Sequence, residues 1–216
     1  MIKVEKIKYI RKKLKYYNID GYIIPKNDEF FGEYVSSESD HLKHISNFSG
    51  SYGFAIILKK KNYLFVDGRY TIQANKESGK SFQIYDLVNY GPRKILKKNL
   101  KIGFNPKIFT RYMLDMLFDK SKTKLVSINE NLVKNKSKIN SFNANSIIAI
   151  NNRYCGKNYK RKTDDQINFL KKNNLDIKFI SAPENIAWLL NIRGQDCLYS
   201  PLPYGRLLLD KDGKII

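Results

Sequence analysis

Apolar residues recur at Val4, Ile7, Ile10, Leu14 and Tyr17 with lysine and arginine between them, a helical spacing that predicts an amphipathic helix over residues 3–17. Asn18-Ile19-Asp20-Gly21 ends it. The short β-branched run Tyr22-Ile23-Ile24, closed by Pro25, reads as a buried strand, and a loop runs from Lys26 to Glu38. Ser39-Asp40 is placed to cap a second helix whose Leu42, Ile45 and Phe48 share a face, with Gly50 and Gly53 marking its exit. Phe54 to Leu58 and Tyr63 to Val66, separated by Lys59-Lys60-Lys61-Asn62, predict a hairpin buried on both faces. Asp67-Gly68 then turns the chain into a short helix over Tyr70 to Lys76.

The alternation continues with strands expected at Phe82–Val88, Lys101–Phe104 and Lys124–Ile128 and helices starting near Pro92 and Thr110, which is an α/β layer pattern. Lys134 to Asn145 is polar and irregular, and Ser146 to Ile150 is a short apolar run. These features predict a first domain over residues 1–150 and a linker over 151–162, after which Thr163 and Gln166 form a capping-box pattern for a new helix. From that helix onward the chain repeats its opening. A helix with Ile167, Leu170 and Leu175 leads to a strand at Asp176–Ile180, as the first helix led to Asp20–Ile24. Ser181-Ala182-Pro183-Glu184 reads as a helix start by capping box and early proline, and Ile186, Leu189 and Leu190 take the face held earlier by Leu42, Ile45 and Phe48. Leu189 to Gly194 parallels Ile45 to Gly50, and Gly205 to Ile216 stands where the first hairpin stood. Residues 163–216 are therefore expected to form an incomplete second copy, continued past Ile216 by the same chain or a partner, because a hairpin without further strands leaves unpaired backbone groups.

At 216 residues with 42% hydrophobic and 13% aromatic content, the chain is long enough to bury a real core. The N-terminus carries charges where a secretory segment needs apolar residues, and no apolar run is long enough to span a bilayer, so a soluble cytoplasmic protein without a membrane partner is expected. Cys155 and Cys197 lie far apart and read as reduced thiols. The net charge of +20 would attract phosphate backbones. Lysines nevertheless run almost evenly along the chain, in company with other residues of A/T-rich codons, so nucleic acid is the disfavoured partner.

Four groups are candidates for chemistry. His41 and His44 lie three apart on a presumed helix, a weak metal pattern without a third ligand, and a solvated or rim position is the expectation. Asp164-Asp165 are expected in the first turn of a helix, where negative charge complements the dipole. Arg69 could contact a substrate carboxylate but is expected to fix its turn through an ion pair with a nearby acid, and Trp188 could stack on a ligand but is expected to pack inward.

Asp20-Gly21-Tyr22-Ile23-Ile24-Pro25, Asn27-Asp28-Glu29, Glu33-Tyr34-Val35, Ile45 to Ser51, and Val66-Asp67-Gly68-Arg69-Tyr70 continuing to Gln73-Ala74 together resemble the Xaa-Pro aminopeptidases, relatives of creatinase and prolidase. Ser181 to Gly194, with Asp196, Ser200 and Pro201 after it, is the most specific stretch. The chain departs from that family's usual residues at Asn47 and Ser49. The resemblance implies tandem α/β domains of the creatinase N-terminal type, each a mixed sheet flanked by helices, the second copy truncated. It also implies a parent enzyme that releases an N-terminal residue preceding proline, using two divalent cations, Mn or Zn, held by two Asp, one His and two Glu of a C-terminal catalytic domain. None of those ligand motifs is found here, so no cofactor and no catalytic residue is expected in this chain, which alone should be inactive. The implied partners are that missing catalytic domain, in cis or in trans, a second subunit in a homodimer, and a peptide substrate. By the same resemblance Phe48, Ser49, Gly50, Ser51 and Tyr52, with Arg193 and Asp196, would face the peptide, Arg193 offering a fixed positive fork, the alternative being that these loops only close their own domains. The alternative is a stand-alone peptide- or nucleic-acid-binding protein that has lost the peptidase domain.

Overall fold

In the computed structural model, residues 3–96, 99–133, 146–197 and 199–216 are described, and the polar stretch expected over 134–145 lies outside them. Contacts divide the chain into two units: Met1–Glu29 with Ser37–Ile139, and Phe30–Ser36 with Asn140–Ile216.

The first unit runs α1 (Lys3–Tyr16), β1 (Gly21–Pro25), α2 (His41–Ser46), β2 (Gly53–Leu58), β3 (Asn62–Val66), a 3-10 turn at Gly68–Tyr70, α3 (Thr71–Ser78), β4 (Gln83–Asp86), α4 (Pro92–Ile95), β5 (Lys101–Phe104), α5 (Arg111–Phe118) and β6 (Lys124–Ser127). Its six strands are ordered β4-β3-β2-β1-β5-β6. The strands β1, β2 and β3 pair antiparallel, whereas β4, β5 and β6 join by parallel pairing after helical crossovers. Side chains alternate across this sheet. One face sends Tyr22, Ile24, Ala55 and Ile57 against Ile10 and Leu14 of α1 and Leu42 and Ile45 of α2. The other sends Ile23, Ile56 and Phe65 against Leu114 and Phe118 of α5. Covering both faces explains why the strands read as continuous apolar runs. Val4, expected on the inner face of α1, is exposed instead. Asp40 caps α2 by accepting from Lys43 N, and its carboxylate lies 2.5 Å from Lys26 Nζ just past β1.

The second unit contains β7 (Ile148–Ala149), a 3-10 turn at Asn152–Tyr154, α6 (Tyr159–Lys172), β8 (Ile177–Ile180), α7 (Pro183–Leu190), β9 (Ile192–Arg193) and β10 (Leu207–Asp210). β8 pairs antiparallel with β10, and β7 pairs antiparallel with β9. After β10 the chain turns back, with Leu208 and Ile216 exchanging backbone hydrogen bonds of 2.8 and 3.0 Å. Ile186, Leu189, Leu207 and Leu209 form its core, joined by Ile167 and Ile180.

The repeat extends to individual bonds. In the first unit Asp20 precedes β1 and holds Lys59 at 2.6 Å; in the second Asp176 precedes β8 and holds Lys211 at 2.7 Å. Lys6 of α1 donates to the His44 carbonyl of α2, and Lys162 of α6 donates to the Trp188 carbonyl of α7. Asn47 and Asn191 end the two second helices in the left-handed conformation, at φ 68° and 53°.

Several expected details differ. α6 begins at Tyr159, capped by the Asn158 side chain, so it starts inside the stretch expected to be a linker. The Thr163 hydroxyl bonds back to the Tyr159 and Lys160 carbonyls rather than opening the helix. Asp164 and Asp165 consequently lie beyond the first turn, and Asp165 pairs with Lys157. Leu175 falls after the helix and is exposed. α7 starts behind Ala182, which offers no capping side chain, so Pro183 at the first turn sets that start and Ser181 does not.

Candidate functional site

The second unit folds around an open cavity of about 440 Å³. α7 presents Glu184, Ala187 and Trp188 to it, positions three and four apart that share one helix face. Arg193 enters from β9, held in register opposite Ile148 of β7, and its Nη1 donates to the Ile192 carbonyl at 2.8 Å. Ser200 and Pro201 close one side, and Glu33 and Tyr34 close another.

Each wall has a local cause. Gly194 comes after Arg193 at a point where a Cβ would lie 2.6 Å from Pro203 Cα, so only glycine lets the two strands of this loop approach. Gly194 N donates to the Pro201 carbonyl and Asp196 N to the Leu202 carbonyl, at 3.1 and 3.2 Å. The Asp196 carboxylate accepts from Tyr204 N at 2.9 Å, which makes this residue a staple of the loop. Residues 30–36 are anchored by Phe30 stacking on Tyr204 at 4.7 Å and by the Tyr34 carbonyl accepting from the Tyr204 hydroxyl at 3.2 Å.

Trp188 is 58% exposed, correcting the expectation that it packs inward. Ile186 and Leu189 fill the buried stripe of α7, and the next position round the helix necessarily points away. One side of the indole rests on Lys162, whose Nζ lies 4.2 Å from the ring centroid. That ammonium also donates to the Trp188 carbonyl and Asn191 Oδ1, each at 2.6 Å, and is thereby fixed at the negative end of α7. The cavity thus combines an aromatic wall, a guanidinium and the two carboxylates of Glu33 and Glu184, a set suited to a short zwitterionic ligand.

The other candidate stretch, Phe48 to Tyr52, lies in the first unit. Phe48 is fully buried, and a Cβ at Gly50 would run into its ring. Ser49 gives both its N–H and its hydroxyl to Glu77, at 2.8 and 2.7 Å, and Ser51 Oγ lies 2.8 Å from the Tyr70 hydroxyl. Burial pushes the Glu77 carboxyl up, but the bonds from Ser49 and Gln73 outweigh it and hold the group below its ordinary value. Four of the five residues therefore build the loop, and Tyr52 projects from it. Arg69 forms the expected ion pair with Asp67, Nε to Oδ1 at 2.9 Å. His41 is buried rather than at the expected solvated or rim position, and Asn131 Nδ2 meets its Nε2 at 2.7 Å.

Glu33, Tyr34, Glu184 and Trp188 were not among the residues expected at a site. Glu33-Tyr34, and the Ser181 to Gly194 stretch that contains Glu184 and Trp188, did stand out in the sequence as carrying the family resemblance, and that was the available signal.

A sequence model described as the creatinase/prolidase N-terminal domain matches residues 6–134, and a second of the same description matches residues 138–216. Xaa-Pro aminopeptidase 1 of Dictyostelium discoideum is 29% identical over 217 residues, covering 92% of this chain and 35% of its own length. Human Xaa-Pro aminopeptidase 2 is 27% identical over 212 residues, with 93% and 32% covered. The chain therefore spans about a third of the length of the curated relatives it matches. The crystal structure of the X-prolyl aminopeptidase of Caenorhabditis elegans, described as a cytosolic enzyme with a di-nuclear active site, superposes with a TM-score of 0.85 at 24% identity, covering all of this chain and 38% of that one.

Proposed function

Because the chain belongs to the creatinase/prolidase N-terminal-domain family, we propose that it is the non-catalytic N-terminal part of a proline-directed aminopeptidase and selects the short peptides that reach a catalytic centre carried elsewhere. The observation behind this reading is the cavity whose lining includes Arg193, Trp188 and the two carboxylates of Glu33 and Glu184. A peptide amine is matched by Glu33 or Glu184, a flat ring by Trp188, and a carbonyl or carboxylate by Arg193. The loop from Phe48 to Tyr52 is the second surface assigned to the peptide route, with Tyr52 as its outward group.

The catalytic cations of such an enzyme belong to its other part. The described side chains do not fit a pair of divalent metals: no cluster of three His, Cys, Asp or Glu is placed to hold one, and His41 Nε2 is engaged by Asn131. Among the described residues no helix is long and apolar enough to cross a membrane. The cytoplasm is the proposed compartment, and homodimerisation, alongside the missing catalytic domain, is the proposed assembly.

The test uses Trp188, the single tryptophan. Titrating the chain with an Xaa-Pro-Xaa tripeptide is expected to change its emission saturably, and Arg193→Ala to weaken binding about tenfold, the loss of one charge-assisted contact. Unchanged emission up to millimolar peptide, or equal affinity in the variant, removes the reading. With Mn²⁺ added, the chain alone is expected to release no N-terminal residue, and metal-dependent turnover would contradict its non-catalytic role.

A further inference from the structure

Lysines spread along the sequence of the first unit are gathered by its fold at one end of the sheet. β1, β3, β4, β5 and β6 run in one direction and β2 runs against them, so the first residues of those five strands and the last of β2 lie at the same end. Across that end, in sheet order, stand Lys80 before β4, Lys61 and Lys60 in the turn into β3, Lys59 after β2, Lys101 opening β5 and Lys124 opening β6, all exposed. Lys101 and Lys124 are register partners, and Arg11 of α1 fixes the turn by donating to the Leu58 carbonyl and Asn62 Oδ1 at 3.1 and 2.9 Å. With neighbouring strands about 4.8 Å apart, the row is roughly 24 Å long. At the opposite end of the sheet the cations are matched, Lys26 with Asp40 and Arg69 with Asp67. At the lysine end stand Asp119 and Asp20, the latter held by Lys59 at 2.6 Å. Among the described residues Lys60, Lys61, Lys80 and Lys124 make no salt bridge.

We propose that this row binds the phosphodiester backbone of a single-stranded nucleic acid without reading its sequence. Even spacing of lysine along the chain argued against such a partner, and the strand order removes that objection by bringing distant lysines together. A narrow row fits a linear polyanion, and each phosphate that an ammonium neutralises releases condensed counterions. Tyr16, the last residue of α1, is 76% exposed and four residues before Asp20 at the head of β1, where its ring can stack a base. That ring favours nucleic acid over an acidic polypeptide, whose carboxylates have no flat face to stack. A bilayer is disfavoured because Ile7, Ile10 and Leu14, the apolar stripe of α1, are spent on the core and cannot insert into lipid. The Phe48–Tyr52 loop leads into Gly53 at the opposite end of the sheet, and Trp188 belongs to the second unit, so this proposal and the peptide reading can fail separately.

The test is fluorescence anisotropy of a labelled oligothymidylate of about 12 nucleotides titrated with the full chain. Neutralising about four phosphates predicts that log affinity falls with log salt at a slope of about −3, a loss of about fiftyfold between about 50 and 200 mM salt. Lys60→Ala with Lys61→Ala is expected to flatten the slope by about 1.4 and to weaken low-salt binding about tenfold or more. Lys171→Ala with Lys172→Ala removes the same charge from exposed positions of α6 and is expected to change neither. Tyr16→Ala is expected to weaken binding about fivefold or more at an unchanged slope. A slope near zero, equal losses in the two lysine pairs, or undiminished affinity in Tyr16→Ala overturns the proposal. So does tighter binding of polyglutamate, or of vesicles rich in phosphatidylserine, than of the oligonucleotide.

Discussion

Ile23 and Ile56 face each other across β1 and β2 and are both fully buried, whereas Phe179 and Leu208, facing each other across β8 and β10, are 59% and 38% exposed. The two pairs come from the same plan of helix, strand, helix and returning strand, closed by the same aspartate–lysine bridge and the same lysine-capped helix. Local sequence therefore builds the motif twice. What it does not determine is whether the second face of the sheet is buried, because α4 and α5, which cover that face in the first unit, come from later in the chain. A strand read as apolar on both faces is thus a statement about what must cover it as well as about the strand itself.

The largest test of this difference is core truncation. Ile56→Ala removes atoms packed on every side and is expected to destabilise the first unit by about 3 kcal/mol, while Leu208→Ala, at a half-open position, should cost the second unit less than about 1 kcal/mol. Urea unfolding separates the two, since Trp188 emission reports the second unit alone and far-UV circular dichroism reports both. Equal costs would mean that the Leu208 face is already covered in solution.

A middle-sized effect is expected at the lysine caps. Lys162 is 6% exposed and donates two bonds of 2.6 Å, so Lys162→Ala leaves the Trp188 carbonyl with only the Asn191 N–H at 3.4 Å, takes the lysine donor from Asn191 Oδ1, and should cost about 2 kcal/mol. It also frees the indole face and should shift its emission. Lys6 makes one bond of 3.3 Å from a partly exposed position, and Lys6→Ala should stay within about 0.5 kcal/mol. Comparable losses in the two variants would show that the cap matters through charge at the helix end rather than through buried bonds.

Period and punctuation made most of the first unit legible: the runs at Tyr22–Ile24, Phe54–Leu58 and Tyr63–Val66 became β1, β2 and β3, and Asp40 caps α2 as its position before Leu42 indicated. The start of α6 was misplaced because Thr163 and Gln166 match a capping box by residue type, and only the backbone bonds reveal that Asn158 is the cap one turn earlier. Of the cavity, Arg193, Ser200 and Pro201 lay in a loop singled out from sequence. Trp188 did not, since in a helix as apolar as α7 the sequence leaves undecided which face is covered. Glu33-Tyr34 stood out by resemblance, but its place in this cavity was not legible: residues 30–36 join the second unit through contacts with Tyr204, far along the chain, which local patterning cannot encode.

The smallest effect isolates the strand edge. The Asp20 carboxyl is held below its ordinary value by the Lys101 backbone N–H and then by Lys59; the Asp176 carboxyl is lowered by Lys211. A depressed carboxyl contributes stability above its unfolded value of about 3.9, and that contribution disappears as pH falls through the folded value. Asp20→Asn should therefore cost about 1 kcal/mol at neutral pH, discounted for its partial exposure, with the gap to the parent chain narrowing below about pH 4. Asp176→Asn should leave the neutral-pH urea midpoint of the second unit unchanged, because the lysine it pairs with is itself half exposed to water. Urea midpoints at pH 7 and pH 3 give both readings. A pH-dependent loss in Asp176→Asn as large as that in Asp20→Asn would mean that β8 already has a backbone neighbour, and the distinction between a filled and an open edge would vanish.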